Sequence, residues 1–276
     1  LKNTYTVNDL EFLISTQNQV SLDFLIPIFK GYDLTKTPIL IINQTQSNVL
    51  LRSEFDSIRV INSFETGVAK SRNLALQNAL GKIVIFTDDD VEYFENTREI
   101  IIDAYNNNAA PDAILFQAQK NDSQLLKPYA KKPQDPITTL SILNCGTIEI
   151  TLKTENIDSS IFKFDERFGN NSFFELGDEP LFLMNLKRNN KRIIFINKTI
   201  VQHEGVTTVL RNSKEINYFG LGAFYKQIFP KHHYLWVFVK IFFDVKQGKI
   251  TVFDILKVLS SAAEGRKKLI ATKTKI

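Results

Sequence analysis

The densest chemistry in this chain follows a short apolar run. Ile83-Val84-Ile85-Phe86-Thr87 passes directly into Asp88-Asp89-Asp90. The run is β-branched and aromatic and too short for a typical helix, so it reads as a buried strand. Three adjacent carboxylates where a strand leaves the core repel one another. A divalent cation, alone or with a phosphorylated ligand, would compensate them. Hard oxygen ligands select Mg²⁺ or Mn²⁺ over thiophilic metals. The plain alternative is a solvated acidic turn.

Three further groups could work with this triplet. Gly67-Val68-Ala69-Lys70-Ser71-Arg72-Asn73 places a glycine and two cations at a predicted helix start. Unsatisfied backbone N–H groups and the helix dipole favour phosphate there, and Lys70 and Arg72 could complete a diphosphate or sugar cradle. An amphipathic helix with two surface cations would look the same. Gly177-Asp178-Glu179-Pro180 sets two carboxylates before an apolar run. One of them could act as a general base, although acids also cap helix starts, Asp178 above all. His203 ends a strand-like segment and could supply a neutral imidazole to a metal, or serve the fold alone. His232 and His233 read as surface residues without a role.

Strand and helix patterns alternate ahead of these groups. Strands are expected at 10–15, 38–43, 58–61 and 82–87, and helices at 20–29 and 67–80, the second closed by Gly81. This order argues for a mainly parallel sheet with helices on both faces. Ligands of such sheets sit beyond the carboxyl ends of the strands. Asp88 to Asp90, Thr16-Gln17-Asn18 and Asn43-Gln44 all fall there. Later strands are expected at 113–118, 142–152, 192–196 and 199–203, with a loop at 128–136. A helix is expected at 179–186, with Asp178 as its cap and Pro180 in its first turn. Beyond about 206 the patterns are helical, and one helix at 252–263 stops near Gly265. The expected organisation is a domain over 1–205 and a helical extension over 206–276.

The composition suits a globular chain with a sizeable core: 276 residues, 43% hydrophobic and 23% charged. Cys145, the single cysteine, has no intrachain partner, which points to a reducing, cytoplasmic setting. The start, Leu1-Lys2-Asn3-Thr4-Tyr5, has no apolar h-region, so no signal peptide is expected there. The first residue is not Met, and a short native stretch is expected before it. Net charge is +4, with Arg266, Lys267, Lys268, Lys273 and Lys275 gathered near the end. Peripheral contact with an anionic membrane fits this better than nucleic acid, for which no motif is present. A solvated basic tail fits equally. The most apolar stretch, 234–245, is too short to span a bilayer.

Taken together, the ordered motifs resemble the family-2 glycosyltransferases, which have the GT-A nucleotide-diphospho-sugar transferase fold. The likeness rests on the 67–73 helix start, the Ala79-Leu80-Gly81 turn and the Asp88-Asp89-Asp90 strand end. Phe164-Asp165-Glu166-Arg167-Phe168-Gly169, Gly177-Asp178-Glu179, the strand Ile193-Ile194-Phe195 and His203 complete it. The resemblance implies an inverting transfer of one sugar from a nucleotide-diphosphate donor, UDP-linked by expectation, to an acceptor hydroxyl. A glycan or lipid-linked glycan of a bacterial surface polysaccharide is the implied acceptor. Glu179, or else Asp178, would be the base. Asp88 and Asp90, joined by His203, would hold Mn²⁺ or Mg²⁺. Thr16, Asn43, Lys70, Arg72, Asn73, Asp88 and Asp89 would contact the donor, with Asp89 little more than a spacer.

The chain also departs from the family pattern. Ser15-Thr16-Gln17-Asn18 replaces the usual Pro-Thr-Tyr-Asn, and Asn43-Gln44-Thr45-Gln46 replaces Asp-Asp-Gly-Ser. The acidic pair is Asp-Glu rather than Glu-Asp. The Q-x-x-R-W signature of processive synthases is absent, which favours single addition. A D-x-D phosphatase would need Thr or Val where Glu92 stands. A sugar nucleotidyltransferase would need a glycine-rich loop after the first strand, and 15–20 contains no glycine. A non-catalytic sugar-nucleotide-binding module is the remaining alternative.

Overall fold

β1, Leu10–Gln17, and β4, Ile83–Thr87, lie side by side in parallel at the middle of the sheet. Both are buried along almost their whole length, as strands covered by helices on both faces must be. The computed structural model describes residues 4–46, 48–203 and 216–273. β2, Ile39–Gln44, and β3, Ile58–Ser63, extend the parallel set beyond β1. The crossovers carry α1, Leu25–Ile28, and α2, Val68–Asn78. Then come β5, Val91–Tyr93; α3, Thr97–Asn107; β6, Ala113–Lys120; and α4, Thr139–Leu143. β7, Ile150–Lys153, α5, Asp178–Arg188, and β8, Ile193–His203, follow.

Among the described residues the sheet has eight strands in the order β3-β2-β1-β4-β7-β6-β8-β5. β7 runs antiparallel between β4 and β6, and β5 antiparallel on β8. The β6–β8 pair is parallel. The expected mainly parallel mixed sheet flanked by helices is present. Its two faces feed two cores. Leu13, Val84 and Phe86 join Ala75 and Leu76 of α2 and Leu183 and Leu186 of α5. Phe12, Ile14 and Ile85 join Leu25 and Ile28 of α1 and Ile101 and Tyr105 of α3. This is the period-two division of side chains that a strand imposes.

Several local expectations change. The helix expected at 20–29 shrinks to α1, because Pro27 removes a donor and crowds the preceding turn. α2 has no left-handed cap at Gly81. Ala79 is extended, and the Glu11 carboxylate accepts from the N–H groups of Leu80 and Gly81 at 2.7 and 2.9 Å. The segment 142–152 is strand only from Ile150; α4 and a 3₁₀ turn at Thr147–Glu149 precede it. The two strands expected at 192–203 are one, β8, with an irregularity opposite Gln117.

The extension is helical, as expected: α6, Tyr218–Ile228; α7, His233–Lys246; and α8, Ile255–Lys273. α6 is part of the first core through Ala223, Phe224 and Ile228. Gly265 does not end a helix; it lies inside α8, where a Cβ would stand 1.8 Å from the Phe219 carbonyl oxygen of α6. The glycine is there for close helix contact. His233 is buried rather than a surface residue, with Nδ1 3.1 Å from the Pro230 carbonyl. The boundary expected near 206 and the residue Lys275 lie outside the described residues.

Candidate active site

Arg72, on the first turns of α2, is the hub of the site. It is 5% exposed, and its guanidinium meets three carboxylates from two other elements. Nη1 donates to Asp178 Oδ2 and, at 3.1 Å, to Glu179 Oε1. Nη2 lies 3.5 Å from Asp88 Oδ1. The ring of Phe164 sits 5.7 Å from the guanidinium carbon and stacks on Phe182 of α5. The Asp88 turn and the Asp178–Glu179 pair, about 90 residues apart in sequence, therefore share one cation.

α5 begins at Asp178. Its cap is Gly177, in the left-handed region at φ 81°, rather than Asp178. That backbone turn presents both acids to Arg72. A side chain at 177 would be strained and would strike Phe224 of α6. Thr147, on the 3₁₀ turn before β7, donates its hydroxyl to Glu179 Oε1 at 2.5 Å. The same turn is pinned by Glu149, which accepts from Lys127, Tyr129 and the Gly146 N–H.

These contacts separate the two acids. Burial and the neighbouring Glu179 charge push Asp178 upward, against the pull of Arg72. For Glu179, burial opposes ionisation, but Arg72 and the Thr147 hydroxyl hold it below the ordinary carboxylate range. Glu179 is thus the charged member at neutral pH and Asp178 the one that takes up a proton. Asp88 is raised by desolvation and by Asp90, Glu179 and Asp89, with Arg72 opposing. Arg72 stays charged, since the three carboxylates outweigh its burial.

At the other side of the turn, β5 pairs with β8 and sets Val91 opposite His203. This brings His203 Nε2 to 3.3 Å from Asp90 Oδ1. Asp89 accepts from the Thr16 hydroxyl at the end of β1, so it ties the turn to the sheet and is more than a spacer. Among the described residues, no group of three or more His, Cys, Asp or Glu is arranged to hold a metal ion. Asp90 and His203 offer one oxygen and one nitrogen. A divalent cation there would have to take its remaining ligands from elsewhere, such as diphosphate oxygens.

The other residues expected at the donor have local partners. Lys70 pairs with Glu65 at 2.6 Å on the surface. Asn43 is fully buried and bonds the Gln19 backbone and Asn62. Asn73 bonds both backbone groups of Phe164 and, at 3.2 Å, Glu166. It anchors the Phe164–Gly169 segment. The sequence reading missed Thr147 and the Lys127–Tyr129–Glu149 network. The 142–152 segment reads as a strand, and only the Gly146-Thr147 step within it hints at a turn.

The family model for glycosyl transferase family 2 matches residues 41–177, about half of the chain. No curated protein matches in sequence. Among solved structures, S. aureus TarS 1–349 in complex with UDP-GlcNAc superposes with a TM-score of 0.59 at 15% identity, covering 91% of this chain and 79% of that one. The same fragment with UDP gives 0.56 at 16% identity, covering 93% and 80%. Against another TarS crystal structure the TM-score is 0.51 at 16% identity over 81% of this chain, which spans only 43% of that one. At such identities the likeness shows the fold, which is of the GT-A type. The matched region holds Arg72, the Asp88–Asp90 turn and Thr147, and stops one residue short of Asp178. Through residues 41–177 and the sheet they build, the chain belongs to glycosyl transferase family 2.

Proposed function

We propose that the chain moves one sugar from a nucleotide-diphosphate sugar to an acceptor hydroxyl, with inversion and with Mn²⁺ or Mg²⁺ present. The observation that carries this reading is the setting of Glu179: its carboxyl is fixed by Arg72 and Thr147 and joined through Arg72 to the Asp88 turn. The Arg72 and Thr147 bonds both fall on Oε1, and the carboxylate they fix takes the acceptor's proton. As that proton leaves, the acceptor oxygen bonds to the anomeric carbon. The bond from that carbon to the diphosphate oxygen breaks, and the diphosphate departs with the electron pair. A cation beside Asp90 and His203 would offset the charge that develops on the diphosphate. Arg72 has a different task from the phosphate cradle expected of it: it keeps Glu179 deprotonated and orients it.

A UDP-linked donor is the first choice, because the TarS fragments of like fold are described with UDP-GlcNAc and UDP. A glycan or lipid-linked glycan is the acceptor class proposed with it, in surface polysaccharide synthesis and in a cytoplasmic setting. The test is a UDP-release assay over a panel of UDP-sugars and glycan acceptors, with Mn²⁺ and with chelator. Acceptor-dependent release that disappears in Glu179→Gln, while donor binding persists, supports the reading. Donor binding without release against every acceptor would instead support a non-catalytic binding module.

A further inference from the structure

α7 and α8 form a helical hairpin. Arg266 lies over the Tyr234 ring at its open end, while Val245 and Ile255 pack into the shared core near the turn. One stripe of α7, Val237, Ile241 and Asp244, is buried. The opposite stripe, Leu235, Phe238 and Phe242, is also apolar, yet exposed. A helix that is apolar all round is normally covered all round. The apolar surface continues past the turn: Phe253 is 92% exposed and Leu256 81%. Contiguous exposed apolar surface of this kind marks an interaction site.

Charge identifies what covers it. Lys246, Lys249 and Lys257 are all exposed around the same turn. The acids nearby are already engaged: Asp244 is buried against Lys240 and Tyr218, and Asp254 accepts from Thr251. Residues 226–273 hold ten Lys and Arg against three Asp and Glu, while the whole chain carries only +4, so the remainder is net negative. The positive excess is confined to the extension that bears the aromatic surface. A second copy would set the same cations against one another. A lipid surface of negative charge meets both requirements, with phenyl and leucyl groups at the acyl boundary and lysines at the headgroups. Among the described residues no helix is long and apolar enough to cross a membrane.

We propose that the turn of the α7–α8 hairpin docks on an anionic lipid bilayer and lies in its interface without spanning it. The proposal does not rest on the transferase reading. It moves the membrane contact expected at 266–275 to the turn, because Arg266 is engaged with Tyr234.

The experiment is co-sedimentation of the full chain with vesicles of phosphatidylcholine alone and with phosphatidylglycerol added, at low and high salt. Sedimentation only with the anionic vesicles, weakened by salt, is expected. Replacing Lys246, Lys249 and Lys257 together with Gln should weaken it on the order of 100-fold, from about five-fold per lysine. Phe253→Ser with Leu256→Ser should abolish it at unchanged helical content, since both side chains are exposed. A chain that stays in the supernatant with anionic vesicles overturns the proposal. So does binding that these variants leave unaltered, or a solution dimer that Phe253→Ser dissolves.

Discussion

The Thr147 hydroxyl donates to Glu179 Oε1 at 2.5 Å, across the gap between the turn before β7 and the first residues of α5. It is the second donor on an oxygen that Arg72 already holds. A hydrogen bond to a charged group contributes more than one between neutral groups. Thr147→Val should therefore lower kcat about ten- to a hundred-fold with the donor KM little changed. With Glu179 as the proposed carboxylate base, activity should be present above its pKa and lost as pH falls through it. Removing the Thr147 donor raises that pKa, so the acid limb of the pH–rate profile should move to higher pH. A limb that stays in place would deny Thr147 this positioning role.

Glu179→Gln should remove about 10²–10⁴-fold of the transfer rate and leave donor binding by calorimetry intact. Asp178→Asn should cost less, because Asp178 takes up a proton more readily and lies behind Arg72. Wild-type turnover in Glu179→Gln, with loss in Asp178→Asn, would reverse the assignment of the base.

Arg72→Met leaves the largely buried Glu179 carboxylate without its cation. Breaking a buried pair from one side costs about 3–5 kcal/mol, so a clear drop in Tm is expected. Adding Glu179→Gln to Arg72→Met should recover part of that drop, since a neutral amide needs no partner charge. A double variant no more stable than the single would show that Arg72 acts through packing on Phe164 instead.

Asp90→Asn and His203→Gln should each weaken donor binding measured with Mn²⁺ and leave the smaller binding measured in chelator. Equal donor affinity with and without Mn²⁺ in the unaltered chain would remove the cation from the proposal.

Asp165 gives a pH dependence of stability. Its carboxyl is partly desolvated, which opposes ionisation, yet the Arg167 guanidinium and backbone N–H hold its pKa below 3.8. A depressed folded-state value contributes stability that is fully present above the unfolded pKa and is lost as pH falls through the folded one. Urea midpoints should fall between pH 5 and 3 in the unaltered chain, and less steeply in Asp165→Asn. Equal slopes would show that the pair adds nothing measurable.

The parallel strands were legible because each is a short apolar run that stops at polar residues: Ile39–Gln44 at Asn43, and Ile83–Thr87 at Asp88. Fold class and the Asp88 turn follow from that local pattern. Arg72 was singled out for its place, but its carboxylate partners were not foreseen. Sequence shows a cation near a helix start, but the fold of α5 decides that it meets Asp178 and Glu179. Asn43 and Asn73 bond local backbone in the structure, and an amide that bonds backbone and one that binds a ligand look alike in sequence. Thr147 was invisible because its partner lies 32 residues away. α3 contains Ile100-Ile101-Ile102, a run that reads equally well as strand.

The packing of α6 has a consequence for reach. α8 presses its Ala262 and Gly265 backbone against Gly222 and Phe219 of α6, closely enough that no side chain fits at either glycine. α6 in turn sets Phe224 against Gly177, immediately before Asp178 and Glu179, and takes two bonds from Arg188 at the far end of α5. The hairpin and the Glu179 helix are therefore joined through α6 by close packing. On a bilayer the joined unit would be a ruler. It would hold Glu179, the proposed base, at a set height above the headgroups, so that an anchored acceptor would be selected by the length of its stem as well as by its sugar.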